Sequence, residues 1–254
     1  MTSNASPITN DSSSVGPARG GSWRSLYLAA GVASLLFVVL LIAALVLDFV
    51  APPPVHGGAA TLEFIQARKT IYVTEQILWV LPNILPVIVF VALGIALCPL
   101  DKSLSLLATL LGAIPWAVIL AVPVTSRGSL TLVYLSDRYR NAGSLEERHA
   151  YATAAEAIIA ENNTPAVVGV LSALGIVLMS LVMRRGVFPQ WLAWLGVATG
   201  ILGIAGEALR HAMPGFYGVY GVFLWAWFIA TGIALIRLGL REQRWEAPPA
   251  MVAG

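Results

Sequence analysis

The sequence predicts an all-α fold, a polytopic transmembrane helical bundle of six spans with amphipathic helices on its outer side. Three observations carry this expectation. The chain has 254 residues, of which 58% are hydrophobic and 11% charged, with a mean hydropathy of +0.81. Soluble domains carry about 45–50% apolar and about 25% charged residues. A water-soluble chain of this size could not hide so much apolar surface in one core. Apolar stretches also recur six times, at 26–47, 76–97, 103–124, 165–183, 189–209 and 215–235. About twenty helical residues, rising about 1.5 Å each, cross a hydrocarbon core of about 30 Å. Finally, prolines, charges and cap residues fall between these stretches.

Residues 1–22 are rich in Ser, Asn, Gly and Pro without apolar periodicity and read as a disordered tail. The transmembrane domain is expected over 23–240 and a polar C-terminal tail over 241–254. The first span ends at Asp48 and the triplet Pro52-Pro53-Pro54, which cannot continue a helix. In 59–75, Glu63, Gln66, Thr70 and Thr74 share one face, so this segment reads as an amphipathic lead-in on or above the membrane surface. The second span holds Pro82, Asn83 and Pro86 and should kink in its first third. The third should bend at Pro115 and Pro123.

The longest polar region, 125–163, contains two expected helices, 129–140 and 145–160. Ser144 caps the second, with Glu147 three residues on to reach back to the cap amide. Thr164 and Pro165 open the fourth span, unless the helix from Leu145 runs straight into it with a proline kink.

Six spans put both termini on one side. Arg184-Arg185 and Arg241/Arg244 sit at span ends on the side of the short loops, which makes that side cytoplasmic by the positive-inside rule. Trp23, Trp191, Trp194 and Trp245 mark the same interface. The net charge of +2 and the lack of a basic stripe give no support for a nucleic-acid partner. One cysteine, Cys98, excludes an intramolecular disulfide and reads as a packing group.

Ionisable groups within lipid are costly, so they are the first site candidates. Glu75 and Gln76 open the second span, with Trp79 and Asn83 on the same face. Glu156, Ala160 and Asn163 form a stripe entering the fourth, Glu207 and His211 share a face at the end of the fifth, Arg127 ends the third, and Tyr217 and Tyr220 begin the sixth. The expected ligand-binding set is Glu75, Asn83, Arg127, Glu156 and Glu207, converging on an outward-facing polar vestibule. The plainer reading places each at headgroup level, solvated or paired with a neighbour such as Arg127 or Arg210.

His56, His149 and His211 show no ligand-pair spacing, and no metal or cofactor is expected. Nothing marks a catalytic nucleophile. Gly196, Gly200 and Gly203 on the fifth span, and Gly218 and Gly221 on the sixth, are small-residue faces for close helix packing, within the chain or between copies.

Two stretches, Ala155-Glu156-Ala157-Ile158-Ile159-Ala160-Glu161-Asn162 and Arg185-Gly186-Val187-Phe188-Pro189-Gln190-Trp191-Leu192-Ala193-Trp194-Leu195-Gly196, carry a resemblance. On them the chain, over 26–240, resembles a family of uncharacterised bacterial six-helix integral membrane proteins, a domain of unknown function. The resemblance implies a multi-pass protein of the bacterial cytoplasmic membrane and brings no catalytic residues. The function expected is a membrane module that binds or transports a small or amphiphilic ligand, its partners being the lipid bilayer and that small-molecule or lipid ligand. The alternatives are an intramembrane enzyme using a carboxylate as acid or base, and an accessory subunit of a larger membrane complex.

Overall fold

The computed structural model describes residues 23–246 apart from 55, 122–123, 126–127, 164–166, 211 and 214. Helix α1 is Arg24–Val50, and α2 is Gly58–Val80. A 3-10 turn, Leu81–Asn83, leads into α3, Ile84–Leu97. Helix α4 is Lys102–Ala121. A two-stranded ribbon follows, β1 Val124–Thr125 and β2 Gly128–Ser129, then α5, Leu130–Arg140, and α6, Leu145–Asn163. The chain continues as α7 Val167–Met183, α8 Gln190–Ala208 and α9 Phe216–Glu246. Among the described residues six helical stretches are long and apolar enough to cross a membrane: Arg24–Val50, Gly58–Leu97, Lys102–Ala121, Leu145–Met183, Gln190–Ala208 and Phe216–Arg241. The expected all-α, six-span bundle is therefore the observed one, and the protein is a multi-pass membrane protein in contact with lipid.

The spans close into a ring. Helix α1 packs on α3, α3 on α4, α4 on α7, α7 on α8, α8 on α9, and α9 returns to α1. Spans that follow one another in the chain are neighbours in space, although α4 and α7 are joined through the ribbon, α5 and α6. In lipid there is no water to expel between helices, so close van der Waals packing has to hold such a ring. Glycines supply it. A Cβ on Gly175 of α7 would meet the backbone of Gly112 on α4, and one on Gly31 of α1 would lie 2.8 Å from the Gly232 carbonyl of α9. Gly200 of α8 approaches the Ala173 carbonyl of α7, and Gly203 meets Ala173 and Tyr220. The glycine face expected on the fifth span thus works within the chain. Gly218 and Gly221 do not do similar work, because a Cβ on either would meet nothing within 4 Å. Gly218 is exposed and Gly221 half-buried. The Ser34 hydroxyl adds a 2.6 Å hydrogen bond to the Phe228 carbonyl between α1 and α9.

Aromatic side chains fill the middle of the ring. Phe37 of α1 lies edge-on to Trp116 of α4, with centroids 5.4 Å apart, and 4.7 Å from Phe228 of α9. Trp227 stacks between Phe228 at 5.1 Å and Phe90 of α3 at 6.0 Å. Such contacts are worth about 0.5–1.5 kcal/mol per pair beyond the area they bury.

On one side the chain builds a second layer. The first half of α2, α5 and α6 pack on one another around Leu62, Ile65, Tyr72, Leu132, Ala155 and Ile159. This cap absorbs the two amphipathic excursions expected from the sequence. The apolar face of α2 is covered by protein, while Glu63, Thr70 and Thr74 stay exposed. Polar ties close the layer. Gln66 donates to the carbonyl and hydroxyl of Ser136, and that hydroxyl donates to the Leu62 carbonyl at 2.7 Å. Lys69 pairs with Asp137 at 2.7 Å.

Local signals explain the elements. The Ser129 hydroxyl caps α5 by accepting from the Thr131 amide at 3.1 Å. The Ser144 hydroxyl accepts from the Glu147 amide at 3.1 Å, but Glu147 reaches the Gly143 amide, at 3.0 Å, instead of the cap amide. Helix α2 kinks at Arg68, whose φ of −134° and ψ of 34° leave the helical region. The kink expected at Pro82 takes the form of the 3-10 turn. There the Ile84 amide serves the Leu81 and Pro82 carbonyls. The Asn83 side chain repairs the ladder by donating to the Trp79 and Val80 carbonyls, each at 2.7 Å. Pro115 lies inside a continuous α4, whereas Pro123, Thr164 and Pro165 lie outside the described residues, as does the tail 1–22. Helix α9 continues to Glu246, so the C-terminal segment begins helical.

On the side away from the cap, Asp101 accepts from the Leu104 amide at 2.9 Å and pairs with Arg185. These bonds hold its carboxyl below the ordinary carboxylate range. Arg184 stacks 4.2 Å over Trp194. Trp23, Trp191 and Trp194 are exposed there, as an interfacial rim requires.

Two outcomes follow. Gly175→Val should lower the thermal midpoint of the detergent-solubilised protein sharply, an overpacking cost of at least about 1–3 kcal/mol, while Gly218→Ala should leave it unchanged. Because the folded carboxyl of Asp101 titrates below its unfolded value of 3.8, its contribution is complete above that pH and fades as pH falls below it. Asp101→Asn should therefore melt slightly lower than the wild type at pH 7, and the gap should narrow as the pH falls below 3.8.

Candidate functional site

The buried polar residues of the second span fall on one face. Tyr72, Glu75, Gln76 and Asn83 are all less than 5% exposed, with the half-buried Trp79 between them. Their spacing of three, four and seven residues makes them one stripe, running from the cap into the ring. Trp79 Nε1 donates to Glu75 Oε1 at 3.2 Å. The Asn83 amide, tied to the Trp79 carbonyl, closes the stripe at the 3-10 turn.

Tyr72 joins the stripe to the ribbon. Its hydroxyl accepts from the Ser129 amide at 3.1 Å and donates to the Ser129 carbonyl at 3.3 Å. Gly128 stands beside it with φ of 156°, and a Cβ there would collide with the Tyr72 hydroxyl and lie 3.0 Å from Gln76 Nε2. Only glycine fits that place. Sequence reasoning missed Tyr72 as a functional neighbour. Its signal was present in the i, i+3, i+4 relation to Glu75 and Gln76, but its partner is a backbone strand end that no side-chain pattern announces.

Glu207 sits at the cap-side end of α8, 2% exposed. Tyr217 of α9 donates to its Oε1 at 3.1 Å, and Arg210, one turn on, pairs with its Oε2 at 3.5 Å. The guanidinium of Arg210 also lies 4.8 Å over the Tyr217 ring. Gly169 of α7 makes room, since any Cβ there would strike the Glu207 carboxylate. A buried carboxylate beside a guanidinium and a phenol is a neutralised, hydrogen-bonded unit, the arrangement that makes such burial tolerable.

The five expected residues therefore fall into different places. Glu75 and Asn83 share one buried face. Glu207 stands on α8, which lies opposite α3 in the ring, again at the cap-side end. Glu156 is exposed on the cap helix α6, apart from both. Arg127 lies outside the described residues, as does His211. Among the described residues no group of three or more His, Cys, Asp or Glu side chains is placed to hold a metal ion.

The family model described as a domain of unknown function, DUF4386, matches residues 32–240. The chain belongs to this family. The match begins within the first span, ends within the last, and takes in the four spans between them, the cap, Glu75 and Glu207. The resemblance seen in the sequence is thus to the right kind of family. No curated protein and no solved structure matches the DUF4386 chain.

Within this DUF4386 protein, the chemistry that the described site offers is that of fixed carboxylates and amides. They can accept from, and donate to, a polar or cationic group entering from the cap side.

Proposed function

We propose that the protein is a membrane module that binds a small or amphiphilic ligand between the cap and the ring, with Glu75 and Glu207 as its principal polar anchors. The carrying observation is that Glu75, on the helix that leads into α3, and Glu207, at the end of α8, are buried on the cap side of opposite members of the ring. Carboxylates in such positions are expensive to insert. Asn83 shapes the floor of the Glu75 stripe through the 3-10 turn. Glu156, being exposed, would act only at the entrance.

Binding is a better reading than passage. The Phe37, Phe90, Trp116, Trp227 and Phe228 cluster packs the ring centre, so a permeant would have to displace it. The positive-inside rule applied to Arg184 and Arg185 places the cap on the outer face of a bacterial cytoplasmic membrane and both termini in the cytoplasm.

Native mass spectrometry of the detergent-purified protein tests the reading. The wild type should carry a small-molecule or lipid adduct that survives delipidation, and Glu75→Gln and Glu207→Gln should each reduce its occupancy at least about tenfold while still melting cooperatively. If neither substitution changes the adduct, or the wild type carries none after exposure to a lipid extract, the proposal fails.

A further inference from the structure

The cap carries a groove away from the buried stripe. It has a volume of about 500 Å³ and is lined by Glu63, Gln66, Ala67, Tyr139, Arg140 and Arg148, one wall each from α2, α5 and α6. Small-molecule sites commonly span about 300–1,000 Å³. The charges in it are not balanced. The one acid, Glu63, accepts from the Tyr139 hydroxyl at 3.2 Å. Arg140 Nη1 donates to the neutral Gln66 Oε1 at 3.3 Å, and the Arg148 guanidinium lies 5.8 Å over the Tyr139 ring. Among the described residues neither arginine makes an ion pair. The nearby acids are already engaged, Asp137 by Lys69 and Glu147 by the Tyr151 hydroxyl and the Gly143 amide.

We propose that this groove binds the anionic group, phosphate or carboxylate, of a small organic ligand through Arg140 and Arg148. A guanidinium presents five N–H donors in a planar fork. Arg140 spends one of them on Gln66. The ring beneath Arg148 holds the guanidinium plane without using its edge. Two forks in one groove match the several acceptor oxygens of an oxyanion. Tyr139 and Ala67 supply the apolar wall for the rest of the molecule, and Glu63 opposes any anion lacking a hydroxyl or amine to meet it. The site is independent of the proposal for Glu75 and Glu207, neither of which lines it.

The test is calorimetric titration of the full chain in phosphatidylcholine nanodiscs at low salt, with inorganic phosphate and with dihexanoyl phosphatidylglycerol as probes. Binding should saturate, weaken at least about fivefold in Arg140→Gln and in Arg148→Gln, and tighten in Glu63→Gln, where a competing carboxylate is gone. Arg138→Gln, whose guanidinium lies over Tyr134 and does not line the groove, should bind like the wild type. Saturation by inorganic phosphate with this pattern supports the site and points to a free anion, while saturation by the lipid probe alone with this pattern supports it and points to a headgroup. No saturation with either probe overturns it. So does wild-type affinity in Arg140→Gln and Arg148→Gln, or an equal loss in Arg138→Gln. Opposite directions in Glu63→Gln and the arginine variants separate lost binding from lost folding.

Discussion

One helix has to satisfy two solvents, and the organisation of both layers depends on how it does so. Helix α2 begins in the cap, where an apolar face of Leu62 and Ile65 is buried by α5 and α6, and ends in the ring. In lipid, no backbone group can be left to water. At the 3-10 turn the Ile84 amide serves the Leu81 and Pro82 carbonyls and so leaves the Val80 carbonyl, its α-helical partner. The Asn83 side-chain amide donates to the Trp79 and Val80 carbonyls from within the same turn. The turn also packs on α1 and α4, so the bend that joins the cap to the ring is tied both within itself and to its neighbours.

The same economy explains why carboxylates can sit at this boundary. Isolated, a buried carboxylate would cost several kcal/mol or take up a proton. Arg210 and Tyr217 give the Glu207 carboxylate its partners, and Gly169 removes the side chain that would otherwise occupy its space. Glu75 is approached by the Trp79 indole from one turn away. Both residues lie where a helix leaves the apolar layer, so their partners come from the adjacent turn or the next helix. The ring interior below them is closed by aromatic rings. These two buried carboxylates therefore lie at one end of the ring, above a floor of packed aromatic rings.

What could be read from the sequence follows from which constraints act along the chain and which act across it. Spans were legible because lipid demands long apolar runs, and the helix opened by Ser144 was legible because capping is local. The crossings were not. Gly112 and Gly175 lie on different helices, and nothing in either helix names the other. Spacing alone also promoted Gly218 and Gly221, since three residues apart defines a face without saying whether lipid or protein covers it. The same holds for the candidate residues. For Glu75 and Glu207 the place at span ends left open whether the carboxylate is buried or solvated at headgroup level, and neighbouring helices decide it. Exposure of Glu156 was not legible either, because the stripe it shares with Ala160 lies along a helix that the cap, and not the membrane, surrounds.

The cap deserves a functional explanation because the ring does not require it. Six helices closing on themselves already cover their interior, and short loops would join them at lower entropic cost than three additional helices. A layer kept in place by the Tyr72–Ser129 hydrogen bonds, by a glycine at φ of 156° that only that phenol's position demands, and by the Lys69–Asp137 pair is specified in detail. Its polar groups lie in two places of different character. The groove at Arg140 and Arg148 is open and carries two guanidinium groups, whereas the stripe from Tyr72 through Glu75 to Asn83 is buried. Helix α2 lines both, twelve residues apart from Glu63 to Glu75, or about 18 Å by helical rise, with the Arg68 kink between them.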